Sequence, residues 1–257
     1  MNNLFPCRLF STGFHDCYYN MGLDEALLES CAAEKESLPV LRFYGWSPPA
    51  VSIGYFQRLS EEVDTEAVNR LGFDLVRRIS GGGAVLHSSE LTYSIIIGQH
   101  HPLAGSGIGE SYRMLCKGLI RGLEILGIKA VFSGINDILA GEKKISGNAQ
   151  TRRNGCLLQH GTILLDNDTE TMFEVLKISD EKIKGKLISE AKERVTSLRL
   201  ILDRIIGFDE AEAVFTRGFG EALGLEFRKS AVDSSLENRA KELAITKFSS
   251  EEWLLKR

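Results

Sequence analysis

The sequence has little of several things, and each shortage removes a class of protein. No apolar run approaches the ~20 residues of a membrane-spanning helix, and Met1 to Phe14 lack a charged start followed by a long apolar stretch. No secretory leader or membrane anchor is therefore expected, and the chain reads as soluble and cytoplasmic. Basic residues are not in excess. Lys and Arg number 31 against 35 Asp and Glu, a net charge of −4, which argues against a general nucleic-acid binder. The five cysteines (Cys7, Cys17, Cys31, Cys116, Cys156) are an odd number without a Cys-x-x-Cys or a zinc spacing. They fit free thiols in a reducing compartment better than a disulfide framework. Internal repeats and low-complexity linkers are also missing, and 257 residues suffice for one large domain, or one domain with a small appendage.

What the chain does have is a glycine-rich stretch, Arg77-Arg-Ile-Ser-Gly-Gly-Gly-Ala-Val-Leu-His87, between the apolar runs Phe73–Val76 and Leu91–Ile97. Glycine places no Cβ between backbone and ligand, so Gly81, Gly82 and Gly83 can present bare amides to an anion. The guanidinium groups of Arg77 and Arg78 match phosphate or carboxylate. No Gly-Lys-Ser/Thr follows, so this is not a P-loop, and the dinucleotide spacing Gly-x-Gly-x-x-Gly is absent. A hairpin turn flanked by surface arginines explains the same residues.

Around this loop the pattern alternates between strands and helices. Strands are expected at Cys7–Ser11, Val40–Tyr44, Ala50–Gly54, Leu91–Ile97, Ala130–Phe132 and Cys156–Leu165, with Val40–Gly54 forming a hairpin about Ser47-Pro48-Pro49. Helices are expected from Asn20, with Asp24, Glu25 and Glu29 on its polar side, from Ser60 to Leu71 and from Glu110 to Leu126. Ile138-Leu139 and Lys144 to Asn148 make a hairpin about Ala140–Lys143, and Asn154-Gly155 is a second turn. From Thr169 onward helices prevail (169–177, 179–187, 209–223, 234–244), with a short strand at Leu225–Arg228. The expectation is an α+β fold of mixed, largely antiparallel sheets with surrounding helices, residues 1–257 forming one catalytic domain with 208–257 as a small helical satellite.

Chemistry-bearing side chains are few. Strand alternation places Lys144 on the same polar face as Ser146, where an ammonium group could stabilise charge on an acyl or phosphate oxygen. Equally, Glu142, Lys143 and Lys144 could be a solvated hairpin tip. Asp137, after Asn136, could hold Mg²⁺ or close a turn. His160 is polar inside an apolar strand, as a satisfied core histidine would be, and His87 closes the glycine loop. Cys156, four residues from His160 on the same strand face, is the cysteine to test as a nucleophile.

Taken together, the segments Asn20–Ala26, Leu41–Tyr44, Ile53–Gln57, Arg77–His87, Asn136–Ile138, Gly141–Ala149 and Leu158–Leu165 resemble the lipoate–protein ligases of the biotin/lipoate A/B ligase superfamily, in family order. The likeness is to archaeal-type large subunits. It implies a class II biotin/lipoyl ligase-like sheet around a tunnel for lipoic acid. ATP would activate the acid to lipoyl-AMP, and a lysine of a lipoyl-domain protein would take the group. The acceptor would be a 2-oxoacid dehydrogenase acyltransferase subunit or a glycine-cleavage H-like protein.

On motif position, the resemblance makes Lys144 the catalytic contact to carboxylate and α-phosphate. Ser80, Gly81, Gly82, Gly83, Ala84, Val85 and His87 would cover the acyl-adenylate, with Arg78 on the pyrophosphate side. Asn136 and Asp137 would serve adenine and Mg²⁺, with Asp137 as the metal ligand. Ser146, Gly147, Asn148, Ala149, His160 and Gly161 would line the tunnel. The chain stops about where long-form ligases continue into an accessory domain, so a separate accessory subunit is expected.

Related octanoyltransferase and amidotransferase branches use a cysteine before the lysine hairpin and usually an arginine at the position of Gly83. Residues 127–140 contain no cysteine. Both differences favour ATP-dependent ligation. The alternatives are octanoyl or lipoyl transfer from a carrier protein without ATP, which Ala149–Gly155 and His87–Ser94 resemble, or a non-catalytic lipoate-binding paralogue.

Overall fold

Apolar residues spaced two apart on Leu91–Ile97 decide the architecture. Leu91, Tyr93, Ile95 and Ile97 face one helical layer, while Ile96 faces another. A strand buried on both faces needs cover on both. The computed structural model describes residues 4–34, 36–177 and 193–257. Its strands are β1 (Phe5–His15), β2 (Val40–Trp46), β3 (Ala50–Ile53), β4 (Asp74–Arg77), β5 (Val85–His87), β6 (Glu90–Gly98), β7 (Ala130–Ser133), β8 (Asp137–Ala140), β9 (Lys143–Arg153), β10 (Cys156–Leu164) and β11 (Leu225–Lys229). The helices are α1 (Cys17–Ala33), α2 (Leu59–Glu62), α3 (Thr65–Arg70), α4 (Ile108–Ile125), α5 (Thr169–Val175), α6 (Leu198–Leu202), α7 (Phe208–Leu223), α8 (Ser234–Leu243) and α9 (Glu251–Leu254). The helix expected at 179–187 lies outside the described residues.

One sheet has the order β11-β1-β2-β6-β10-β9-β8-β7, and a three-stranded sheet has the order β4-β3-β5. In the larger sheet β1 runs parallel to β11 and β2, and the remaining pairings are antiparallel. The fold is thus the expected α+β mixture. Helices α4 and α7 cover one face, where Phe219 and Phe215 lie against Gly118 and Gly122 and let the helices approach closely. Helix α1 covers the other face and is itself overlaid by α8, with Gly22 against the Ala240 carbonyl.

Three local expectations need correcting. β2 and β3 are not a hairpin: β2 pairs with β1 and β6, while β3 joins β4 and β5 in the small sheet. Every residue of β2 is buried, and the partners that cover it come from distant sequence. The helix expected over 60–71 is split at Val63 and Asp64. Val63 turns into an apolar cluster and bridges to Leu176, and the Asp64 carboxylate caps a new helix by accepting from the Ala67 amide at 2.9 Å. Residues 208–257 are no satellite. β11 extends the main sheet, Phe215 and Phe219 enter its core, and Leu236 and Phe248 enter the core under α1.

No helix among the described residues is long and apolar enough to cross a membrane.

Candidate active site

The β8–β9 hairpin positions Lys144. Its register slips between Ile138 and Leu139, so Ile145 bulges into the core while Lys144 stays at the rim. Such bulges re-aim side chains beside functional sites. Lys144 Nζ pairs with Asp137 Oδ1 at 2.7 Å, both about one-third to two-fifths exposed (42% and 35%). It lines a cavity of about 300 Å³, near the lower limit for small-molecule sites.

Of the residues singled out in the sequence, the walls include Arg78, Gly82, Gly83, Ala84, Val85, His87, Asn136, Lys144, Ser146, Gly147, Asn148, Ala149, His160 and Gly161. Three are not in the walls. Ser80 is buried behind His160, Gly81 turns toward Phe56, and Asp137 stands behind the lysine it pairs with. Sequence reasoning missed the apolar surface supplied by Met21, Tyr44, Trp46, Leu86, Leu164, Met172 and Val195. These come from six separate places in the chain, and only Tyr44 and Trp46, on β2, share one.

Asn148 locks the floor. It stands beside Gly161, which pairs with Tyr93 on the next strand, and its Oδ1 accepts from the Tyr93 hydroxyl at 2.7 Å. Its Nδ2 donates to the Asn136 carbonyl at 2.9 Å, and the Asn136 side chain donates back to the Asn148 carbonyl. A Cβ on Gly161 would strike Asn148 Oδ1, so glycine is needed in this row.

Two chains of hydrogen bonds hold the glycine loop. In the first, Arg78 donates from Nη1 to the Ser52 carbonyl and Oγ (2.9 and 2.7 Å), and from Nη2 to the carbonyls of Gly81 and Gly83 (3.1 and 3.0 Å). Ser52 Oγ lies 2.6 Å from His87 Nε2, and His87 Nδ1 lies 2.7 Å from Glu90 Oε1. Burial lowers the His87 pKa against the pull of Glu90, so the ring is neutral, donating to Glu90 and accepting from Ser52. Trp46 stacks on that ring at 3.9 Å. In the second, Ser80 Oγ lies 2.5 Å from His160 Nε2, and His160 Nδ1 lies 3.2 Å from Asp24 Oδ2.

These bonds give Arg78 a structural use in the loop. Its terminal nitrogens are saturated by the loop and by Ser52, and burial pushes its pKa down to about 10. It braces the loop from within while also lining the cavity. Gly54 stands against the same loop, and a Cβ there would run into the Gly82 carbonyl. We expect Gly54→Ala to destabilise the protein by about 1–3 kcal/mol through overpacking. Thermal unfolding checks this, and an unchanged melting temperature would mean that the loop gives way freely.

The carboxylate expected to serve Mg²⁺, Asp137, is paired with Lys144, and no three His, Cys, Asp or Glu side chains among the described residues gather as metal ligands. Cys156 is no nucleophile candidate either. It lines a different cavity with Cys31, and burial together with the Cys31 thiol pushes its pKa up to about 12. His160, on the same strand face, is four residues away, about 13 Å along the strand, and engages Asp24 and Ser80 instead.

Comparison with known proteins gives the site its context. The family described as "Lipoyl protein ligase A/B catalytic domain" matches residues 16–220. A protein named octanoyltransferase LipM from Geobacillus kaustophilus is 36% identical, with 97% of this chain and 98% of that protein covered. One of the same name from Staphylococcus aureus is also 36% identical, over 97% and 98%. Among solved structures, a chain from the bipartite lipoate protein ligase system of Thermoplasma acidophilum superposes with a TM-score of 0.88 at 33% identity, covering 98% of this chain and 96% of that one.

The relatives' names overturn the expectation of an ATP-dependent lipoate ligase and favour the alternative, octanoyl transfer. The chain belongs to the lipoyl protein ligase A/B catalytic-domain family and is an enzyme of lipoyl- or octanoyl-protein transfer.

Proposed function

We propose that the protein transfers an octanoyl group from a carrier-protein thioester to a lysine of a lipoyl-domain protein, without ATP. The observation that carries this reading is the small, largely apolar cavity that is lined by a lysine, Lys144, and, among the described residues, by no cysteine. All five cysteines are buried elsewhere, and burial pushes the thiols of Cys7, Cys116 and Cys156 up to about 12. Transfer is therefore direct rather than through an acyl-cysteine. The octanoyl chain lies against Met21, Trp46, Leu164 and Met172, with its thioester carbonyl toward Lys144.

The acceptor amine attacks that carbonyl, and Lys144 Nζ stabilises the charge that develops on its oxygen. The C–N bond forms, the C–S bond breaks, and the proton lost by the amine leaves with the thiol. Asp137 holds the ammonium group in place. Because no adenylate forms, this chemistry makes no demand on an accessory subunit. A lipoyl group, similarly long and apolar, enters the same cavity.

The test is intact-mass analysis of a lipoyl domain incubated with enzyme and octanoyl carrier protein after enzymatic removal of ATP. Octanoylated domain is the expected product. Cys156→Ser should keep the rate within about twofold, since the thiol lies outside the cavity. Transfer that appears only when ATP is restored, with pyrophosphate released, would overturn the reading. A rate abolished by Cys156→Ser would overturn the direct route.

A further inference from the structure

Beside the glycine loop lies a cationic and aromatic rim that the transfer chemistry does not use. The Tyr55 amide donates to the Ser80 carbonyl at 2.8 Å, and a Cβ on Gly81 would meet the Phe56 ring at 3.9 Å, so Tyr55 and Phe56 abut the loop directly. Three cations gather on these rings. Arg153 stands 5.4 Å from the Tyr55 centroid, Lys256 stands 5.2 Å from it, and Arg257 lies 5.3 Å from Tyr55 and 5.4 Å from Phe56. Lys256 also hydrogen-bonds the Tyr55 hydroxyl, and the surrounding cations lower that hydroxyl's pKa.

The rim is anchored from behind. Arg77, fully buried, donates to the carbonyls of Gly54, Tyr55, Gln57 and Leu254, and the Trp253 indole donates to the Arg77 carbonyl at 2.9 Å. Lys256 and Arg257 stack on aromatic rings and form no ion pair with a carboxylate among the described residues. Arg153 donates to the Ile79 carbonyl at 3.3 Å, and its carboxylate neighbour among the described residues, Glu25 at 3.9 Å, is already held by Lys247 at 2.6 Å.

In a chain of net charge −4, an excess of positive charge around a 72% exposed phenylalanine is a local feature in need of a partner. Aromatic and arginine side chains together are what protein interfaces concentrate. We propose that this rim docks the acidic face of the carrier protein that delivers the acyl thioester. The inference rests on the transfer reading above.

Reach selects the donor over the acceptor. Lys144 Nζ lies against Gly147, and six residues of extended β9 separate Gly147 from Arg153, about 20 Å. An acceptor lysine must reach Lys144 through a side chain far shorter than that. A thioester on a long flexible arm spans the distance from the rim over the loop into the cavity. Opposite charges across such an interface mainly raise the association rate and make binding salt-sensitive.

The test compares wild type with Lys256→Glu/Arg257→Glu and, separately, Phe56→Ser. Two readouts are used: binding to a carrier protein bearing octanoyl through a non-hydrolysable amide, and turnover with octanoyl carrier protein or with uncharged octanoyl-pantetheine. The double charge reversal should weaken carrier binding at least tenfold and flatten its salt dependence. It should raise KM for octanoyl carrier protein by a similar factor, leaving kcat, the KM for octanoyl-pantetheine and the KM for the lipoyl domain within about twofold. Phe56→Ser should weaken carrier binding without altering its salt dependence.

A rise in the acceptor's KM instead would assign the rim to the lipoyl domain and overturn the proposal. Unchanged carrier binding would overturn it outright. Wild-type transfer from octanoyl carrier protein without ATP tests the underlying reading separately. Its absence would sink that reading, and the docking proposal with it.

Discussion

Lys144→Met should lower kcat for acyl transfer by about 10²–10³-fold, the usual consequence of removing one preorganised group that stabilises an oxyanion. The reasoning starts from where the cation is held. The bulge at Ile145 leaves Lys144 at the cavity rim, and Asp137 fixes its ammonium group at 2.7 Å. Methionine keeps the apolar stem, one atom shorter, and removes the charge. KM for the acyl donor should change little, because the chain's binding surface is formed by Met21, Trp46, Leu164 and Met172. The fold should lose less than about 1 kcal/mol, since the pair is more than a third solvated and such pairs contribute weakly. Steady-state kinetics beside a thermal melt separate these effects. A Lys144→Met enzyme within threefold of wild-type kcat would remove lysine from the mechanism.

The same lysine shows where sequence stops being informative. Strand alternation put Lys144 and Ser146 on one face, but a solvated hairpin tip fitted the residues equally well. The bulge that separates the two readings depends on how β9 pairs with β8, which alternation does not encode. The turns at Ala140–Lys143 and Asn154-Gly155 are local, so the hairpins β8–β9 and β9–β10 were legible. β2 and β3 were not, because their partners lie elsewhere in the chain. Arg78 carries a charge that points to an anion, yet it is used by carbonyls brought back by the loop and by Ser52, 26 residues away. Asp24 was placed on the polar side of the first helix, although it is 1% exposed. Its partners, on β2, β6 and β10, do not exist until the sheet forms.

That buried aspartate should be among the most sensitive positions for stability. Asp24 Oδ1 accepts from Arg42 Nη1 at 2.7 Å and from Ser94 Oγ at 2.8 Å, and Oδ2 accepts from the Tyr44 hydroxyl at 3.1 Å, with His160 Nδ1 at 3.2 Å. Arg42 is itself fully buried, bonded to Asn20 and Thr12 and stacked on Tyr44. Removing one member of such a pair leaves an uncompensated buried charge, which typically costs 3–5 kcal/mol, roughly. Asp24→Ala should therefore lose about that much in chemical denaturation, and Asp24→Leu combined with Arg42→Met should lose less than Asp24→Ala alone. A double variant worse than the single would show that the hydrogen bonds of Arg42, rather than its unpaired charge, dominate.

Acid adds an independent check on the same group. Burial alone would raise the Asp24 pKa, but the His160 hydrogen bond and the charge of Arg42 hold it below the ordinary carboxylate value. A carboxylate with a depressed folded pKa contributes stability that is complete above its unfolded value, about 3.9. That contribution is lost as pH falls through the lower folded value. Wild type should therefore lose stability below about pH 4 more steeply than an Asp24→Asn variant, which has no proton to take up there. Parallel acid-unfolding curves for the two proteins would mean that Asp24 titrates alike in both states. Because Asp24 also holds His160, and His160 holds Ser80 at the base of the glycine loop, Asp24→Asn should loosen the loop at neutral pH as well. Slower acyl transfer at a pH where the variant remains folded would connect this buried ion pair to the site it supports.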